Sequence, residues 1–205
     1  MISVIILNYN RKSDLNRTLL RLYDQKGAEF ETVLIDQNSN DGSVEMVMNE
    51  FPQVRFFPLK ENLGVAGGRN RGAELAIGEY LVFLDDDAEF VGTDELKKVQ
   101  LVFDNNLNIH VMAFNINGHP ERPERYKFFS KSDDRFVNHY IGCGHAIRKS
   151  TFQLIGGYST ELFFWGEEIE FAIKSFSLPR NKILFKGDIV VFHRVSAQSR
   201  LKWKE

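Results

Sequence analysis

The chain contains a single cysteine, Cys143, among 205 residues. No internal disulfide can form, and a reducing compartment is expected. It has no charge excess either: 26 basic residues stand against 28 acidic ones, a formal net charge of -2. That balance gives no reason to expect a nucleic-acid partner. No apolar stretch approaches the ~20 residues that span a bilayer. The N-terminus enters directly on Ile2-Ser3-Val4-Ile5-Ile6-Leu7, with no basic n-region and no cleavage site before it. Internal repeats and low-complexity tracts are missing as well. Together these absences predict a soluble, cytoplasmic protein without a transmembrane segment.

What is present suits a folded domain. A hydrophobic content of 43% supplies a core, and the length fits one domain spanning 1–205, with a first half (1–90) and a second half (91–205) of different texture. From Ala172 onward the charge is uneven: Lys174, Arg180, Lys182, Lys186, Arg194, Arg200, Lys202 and Lys204 meet only Asp188 and Glu205. Such a segment reads as a solvated tail, or as a surface for phosphates and for peripheral contact with the inner face of a membrane. Cys143, between Gly142 and Gly144, reads as a small core residue.

The first half alternates. Ser3–Leu7, Thr32–Ile35, Val54–Pro58 and Glu79–Leu84 read as strands. Between them, Ser13 is the expected N-cap of a helix with Leu15, Leu19 and Leu22 on one face. A second helix from Ser43 should turn Val44, Val47, Met48 and Phe51 inward, with Pro52 ending it, and a glycine-rich loop over Asn62–Gly68 should lead into a third. Strands alternating with helices imply a parallel sheet covered on both faces. Beyond Asp87 the pattern is mixed. Asp94–Asn105, Lys149–Leu154 and Glu167–Phe176 read as helical; Asn108–Ile116, Phe136–Arg148, Lys182–Phe185 and Ile189–Phe192 read as extended; Gly118–Asp134 reads as a polar loop.

Chemistry concentrates where strands end. Asp85-Asp86-Asp87 follows the fourth strand; carboxylates packed so closely repel unless a cation or solvent relieves them. A hard divalent ion does so through oxygen ligands, and a solvated acidic turn is the alternative. Loops at Asn8-Tyr9-Asn10 and Asp36–Gly42 follow two other strands, so all three should meet in one crevice. Asp36 and Asp41 suit nucleobase N–H and ribose hydroxyl donors, or, for Asp36, an Asx-turn. Gly64–Gly72 carries Arg69, Asn70 and Arg71; it suits an anion cradle or a tight turn, and its spacing matches neither the dinucleotide nor the phosphate-loop fingerprint.

These stretches in order, with Gly142–Arg148, Ile155-Gly156-Gly157-Tyr158, Phe163-Phe164-Trp165-Gly166-Glu167-Glu168-Ile169-Glu170 and Phe192-His193, resemble family 2 glycosyltransferases, nearest to rhamnosyltransferase-like members. The resemblance implies the GT-A (Rossmann-like) α/β fold, a mixed, mostly parallel sheet with helices on both faces. It implies an inverting transfer of sugar from a nucleotide-diphosphate donor, a UDP- or dTDP-sugar, to a hydroxyl of a glycan or lipid-linked acceptor in polysaccharide or glycoconjugate synthesis. By the same resemblance Asp85 and Asp87 hold Mg²⁺ or Mn²⁺, with His193 completing the metal or diphosphate site. Asn8, Asn10, Asp36, Asp41, Gly67, Arg69, Arg71 and Asp86 line the donor side, Asp86 facing the ribose or supporting the turn. Trp165 or Phe164 could stack on an acceptor sugar or lie in the core.

One departure concerns the base. The family's usual Glu-Asp pair is Glu167-Glu168 here, so Glu168 stands in with one more methylene, and Glu170 replaces an aspartate two residues later. A misplacement near 1 Å can cost about 10²-fold in rate. The alternative to an enzyme is therefore a nucleotide-sugar-binding protein that has lost activity. A sugar nucleotidyltransferase is disfavoured, because the first strand leads into Asn8-Tyr9-Asn10 and not into a glycine-rich loop. The C-terminal Gln198-Ser199-Arg200-Leu201-Lys202-Trp203 is faintly similar to the Gln-Arg-x-Arg-Trp motif of processive members.

Overall fold

The computed structural model describes residues 1–118, 133–163, 165–179 and 181–195. The Gly118–Asp134 loop (apart from its ends), Phe164, Arg180 and the Gln198–Trp203 motif fall outside them. Among the described residues, nine strands form one sheet. Four parallel strands, β1 (Ile2–Asn8), β2 (Phe30–Asp36), β3 (Arg55–Pro58) and β4 (Tyr80–Asp85), take the order β3-β2-β1-β4. The sheet continues through β8 (Gly144–Arg148), β6 (Ile109–Asn117), β9 (Lys182–His193) and β5 (Ala88–Phe90), with β7 (Arg135–Val137) also on β9. β8 runs antiparallel to both β4 and β6, while β6 and β9 are parallel. Parallel ladders carry most of the paired residues, so the sheet is mixed and mostly parallel.

Each face carries its own core because strand side chains alternate. On one side Ile2, Val4 and Ile6 of β1 pack with Leu15, Leu19 and Leu22 of α1 (Lys12–Tyr23), Met46 and Val47 of α2 (Ser43–Glu50), and Leu96, Val99 and Phe103 of α4 (Glu95–Asn105). On the other, Ile5, Val33 and Ile35 pack with Ala66 and Ala73 of α3 (Gly64–Leu75), Phe152 of α5 (Lys149–Ile155), and Phe171 and Ala172 of α6 (Glu167–Ser175).

Several expectations are corrected here. From Gly64 onward the glycine-rich stretch is not a loop but the first half of α3, only Asn62 and Leu63 preceding the helix. A Cβ on Gly72 would come within 2.4 Å of Ile5 Cγ2, so the helix lies on β1 closer than any side chain allows. Close packing overrides low helix propensity. Ser13 lies inside α1, whose N-cap is Arg11; the free Lys12 N–H is taken by Asp41 Oδ2 at 2.7 Å, a capping contact from another loop. In α2, Val47 and the following Phe51 face inward as expected, but Met46 takes the buried position expected of Met48, which is exposed. Lys182–Phe185 and Ile189–Phe192 are one strand, carried past Gly187 by an irregularity in its register with β6.

Candidate active site

In the parallel half, Asn8 pairs in register with Asp36, and Leu7 with Asp85. The three loops therefore leave the sheet side by side at the carboxyl ends of their strands. They are then stitched together. Asn8 Nδ2 donates to Asp36 Oδ1 (2.7 Å) and to Ser39 Oγ (3.0 Å), and the Asn10 N–H donates to the same hydroxyl (2.9 Å). Asn10 has φ 52°, in the left-handed region that asparagine tolerates. Asp36 is 1% exposed, and its second oxygen accepts the Ser39 N–H at 2.9 Å. Here it anchors its own loop, as an Asx-type turn would. Asp41 likewise accepts from Lys12 N, Ser43 N and Ser43 Oγ, fastening the starts of α1 and α2.

The acidic run divides three ways. Asp85, Asp87 and His193 offer ligand atoms that all lie within 4.8 Å of one another. Asp87 and His193 side chains are 1% and 9% exposed, whereas Asp85 is 33% exposed and forms the open side of the cluster. Two carboxylates and an imidazole form a donor set that suits Mg²⁺ or Mn²⁺ through oxygen, with Mn²⁺ tolerating the nitrogen. His193 Nε2 lies 3.0 Å from Asp87 Oδ1. Burial works against its protonation, but the neighbouring Cys143 thiol and Asp87 outweigh that and raise its pKa. Cys143 is itself buried in the core, as expected.

Asp86 turns away from this cluster. Its oxygens take Arg11 Nη1 at 2.7 Å and, more loosely, the Tyr9 N–H at 3.4 Å. Arg11 also reaches Asp87 Oδ2 at 3.1 Å, bridging the two aspartates. Even so, burial raises the Asp86 carboxyl above the usual range; Arg11 opposes this, while Asp87 and Asp85 add to it. The Asp86 carboxylate is thus engaged by Arg11 and by the backbone of the Asn8–Asn10 loop.

Arg69 is buried, and its donors are directed inward. It reaches Asp85 Oδ1 at 2.9 Å, Glu167 Oε1 at 2.6 Å and the Gly142 carbonyl at 2.7 Å. The residue expected on donor phosphate thus joins the acidic run to the first residue of α6. Arg71 is brought to neither cluster; it pairs with Glu74 one turn along α3. Gly67 lies within α3, where an added Cβ would come within 2.8 Å of Leu63 Cβ. Gly166, with φ 95°, is the N-cap of α6 and turns the chain so that Glu167 points inward. Glu167 is 3% exposed and Glu168 half-buried. Burial raises the Glu167 carboxyl; Arg69 opposes this, and Glu168 and Asp85 reinforce it. Trp165 is 75% exposed, outside the core.

Sequence reasoning missed Arg11 and Arg194. Arg194, counted there with the basic tail, is one-tenth exposed and bonded to Asp14 and Glu89. Lys186 is likewise drawn into ion pairs, with Asp134 and Asp188, whereas Lys174 stays exposed beside Glu170. Among the described residues, no helix is long and apolar enough to cross a membrane.

Comparison with known proteins gives the family and the fold. Residues 3–186 match the family described as Glycosyl transferase family 2. An uncharacterized glycosyltransferase of Haemophilus influenzae is 31% identical over 191 residues, 87% of this chain and 63% of the relative. Among solved structures, S. aureus TarS 1-349 in complex with UDP-GlcNAc superposes with TM-score 0.78 at 20% identity, covering 98% of this chain and 60% of that one. The mannosyltransferase PcManGT from Pyrobaculum calidifontis, in complex with GDP-Man and Mn2+, gives TM-score 0.76 at 20% identity, covering 99% and 59%. The chain thus spans about three-fifths of these proteins, and the likeness to the two structures is one of GT-A fold.

Proposed function

The chain belongs to glycosyl transferase family 2, and from that premise we propose that it transfers a sugar from a nucleoside diphosphate donor to an acceptor hydroxyl with inversion at the anomeric carbon. The observation that carries this reading is the Arg69 bridge between Asp85 and Glu167. It brings the N-terminus of α6, and with it Glu168, beside the acidic run. Asp85, Asp87 and His193 would hold Mg²⁺ or Mn²⁺, which when bound neutralises charge developing on the diphosphate leaving group.

The remaining roles fall to the chain's own residues. Arg69 neutralises Glu167 and fixes it, so that of the two glutamates the half-buried Glu168 is left to meet an acceptor. Glu168 takes the acceptor's hydroxyl proton while the oxygen bonds to the anomeric carbon. The bond from that carbon to the diphosphate oxygen breaks, and its electron pair leaves with the nucleotide. The loops at Asn8–Asn10 and Asp36–Asp41, ordered by their mutual hydrogen bonds, form the wall for the nucleotide of a UDP- or dTDP-sugar. A glycan or lipid-linked glycan is the acceptor class, in polysaccharide or glycoconjugate synthesis.

Glu168→Gln tests the assignment. Mn²⁺-dependent donor turnover should fall by about 10²–10⁴-fold, the usual worth of a general base, with donor binding retained. Wild-type protein that binds a UDP- or dTDP-sugar with Mn²⁺ yet turns over no member of a broad acceptor panel would instead favour a nucleotide-sugar-binding protein. A preference for GDP-mannose would overturn the donor assignment.

A further inference from the structure

The geometry points to Arg194 as a positioning residue that fixes the Asp85–Asp87 turn and His193 in their metal-binding arrangement; this rests on the metal reading above. Arg194 follows His193 directly in sequence, and its own N–H donates to the Asp87 carbonyl at 2.9 Å. Its guanidinium reaches back over the same turn. Nη2 approaches the Asp86 carbonyl at 3.2 Å, Thr18 Oγ1 at 2.7 Å and the Asp14 carbonyl at 2.9 Å. Nε donates to Asp14 Oδ1 at 3.0 Å, and Nη1 to Glu89 Oε2 at 2.6 Å.

Thr18 in turn approaches the carbonyls of Asp86 and Ala88, at 2.7 and 2.9 Å. Thus α1 and Arg194 hold the backbone of the acidic turn from beneath, while the side chains of Asp85 and Asp87 project to His193. One residue is joined covalently to one ligand and by hydrogen bond to the backbone of another. Conformational strain marks the same point. Val195, the next residue, has φ 57°, a left-handed conformation that a β-branched side chain adopts only when its surroundings impose it.

The charges around Arg194 make the role separable from folding. Glu89 is also paired with Arg17, which reaches both its oxygens at 2.8 Å, and the Asp14 side chain is one-fifth exposed to solvent. Losing Arg194 therefore leaves no buried carboxylate without a partner. Arg17 itself is 57% exposed, and its described partner is the shared Glu89 carboxylate. It provides the control.

Outer-shell residues of a metal site typically change metal affinity by about 10–100-fold when removed. Arg194→Met should weaken Mn²⁺ binding by a factor in that range, read from the free Mn²⁺ signal in electron paramagnetic resonance well below the unfolding midpoint. Saturating Mn²⁺ should restore kcat, so the defect lies in the metal concentration needed for half-maximal turnover. Arg194→Lys keeps the charge but loses the fork and should fall in between; it carries the test if the methionine variant does not fold. Arg17→Met should bind Mn²⁺ as wild type does. Wild-type Mn²⁺ affinity in Arg194→Lys and in a folded Arg194→Met, whatever happens to their melting temperatures, would overturn the positioning role. Equal weakening in Arg17→Met would reduce the effect to general loss of packing and overturn it as well. A wild-type protein that binds no Mn²⁺ removes the metal reading itself, and this inference with it.

Discussion

The two ends of the parallel strands handle buried carboxylates in opposite ways. At the amino end, Glu31 accepts from Ser3 Oγ, Arg55 Nη1 and the Ile77 N–H. Burial pushes its carboxyl up, and these donors more than reverse that, leaving its pKa below the usual range. At the carboxyl end, Asp85, Asp86, Asp87, Glu167 and Glu168 surround two arginines, Arg11 and Arg69. There Asp86 and Glu167 remain raised despite their arginine partners. One carboxylate among several donors is a rivet. Five sharing two arginines and His193 form a site that is still short of positive charge, and such a shortage is a mark of function more than of stability.

The contrast is broken most severely at Asp87. Asp87→Ala removes a ligand from the 4.8 Å cluster and should abolish Mn²⁺-dependent donor binding. Turnover should fall by at least about 10³-fold, since several kcal/mol of charge stabilisation are withdrawn from the transition state. The protein should stay folded, because Arg11 keeps Asp86 as partner and one source of repulsion is gone. Donor titration with and without Mn²⁺, alongside circular dichroism, checks both statements. Normal donor and metal binding by the variant would show that the surplus acid serves another purpose.

Legibility from sequence follows the same divide. The acidic run could be read because its chemistry is contiguous and sits at the end of an apolar strand; β1, β2 and β4 were visible for the same reason. The strand-end rule then placed Asn8, Asp36 and Asp85 together, and the parallel registers carry them there. What sequence could not show is pairing across long separations. Arg11 lies 75 positions from Asp86, and Arg194 lies 180 from Asp14; nothing local distinguishes either from a solvated surface arginine. The glycine-rich stretch defeats a local reading because Gly68 and Gly72 answer a packing demand from Leu7 and Ile5 on a distant strand. Gly187 and Asp188 looked like a break between strands, yet β9 absorbs them as a bulge.

The amino-end rivet offers the converse substitution. Glu31→Gln keeps the shape, loses the charge and weakens three hydrogen bonds. Bonds to charged groups are worth about 1.5–3 kcal/mol each, and the variant retains part of them. A loss of roughly 1–3 kcal/mol in unfolding free energy is expected, measured by urea denaturation. Mn²⁺ affinity and donor turnover should stay at wild-type values. A folded Glu31→Gln protein with impaired Mn²⁺ binding would show that the two ends are coupled and that the comparison is too simple.

The smallest effect expected is one of pH, at a group that belongs to neither carboxylate cluster. His145 of β8 is fully buried, stacked on Phe83, with Nε2 2.6 Å from Tyr158 Oη. Burial, and then the nearby Arg69 charge, hold its pKa well below the usual value. The folded protein therefore keeps the ring neutral where the unfolded chain, with a pKa of about 6.5, takes up a proton. Below that pH the unfolded state binds the extra proton, so stability is full above about 6.5 and is lost as pH falls. One unit below, at about pH 5.5, the loss from this residue should approach 1.4 kcal/mol. His145→Gln retains an amide to meet Tyr158 but cannot titrate. Other groups also titrate over this range, so the informative quantity is a difference: between about pH 7 and 5.5, wild type should lose about 1.3 kcal/mol more than the variant, since about 0.2 kcal/mol is already lost at pH 7. Equal losses would mean that His145 is protonated in the fold, and the shortage of positive charge near Arg69 would then be smaller than the arrangement of Asp85 and Glu167 implies.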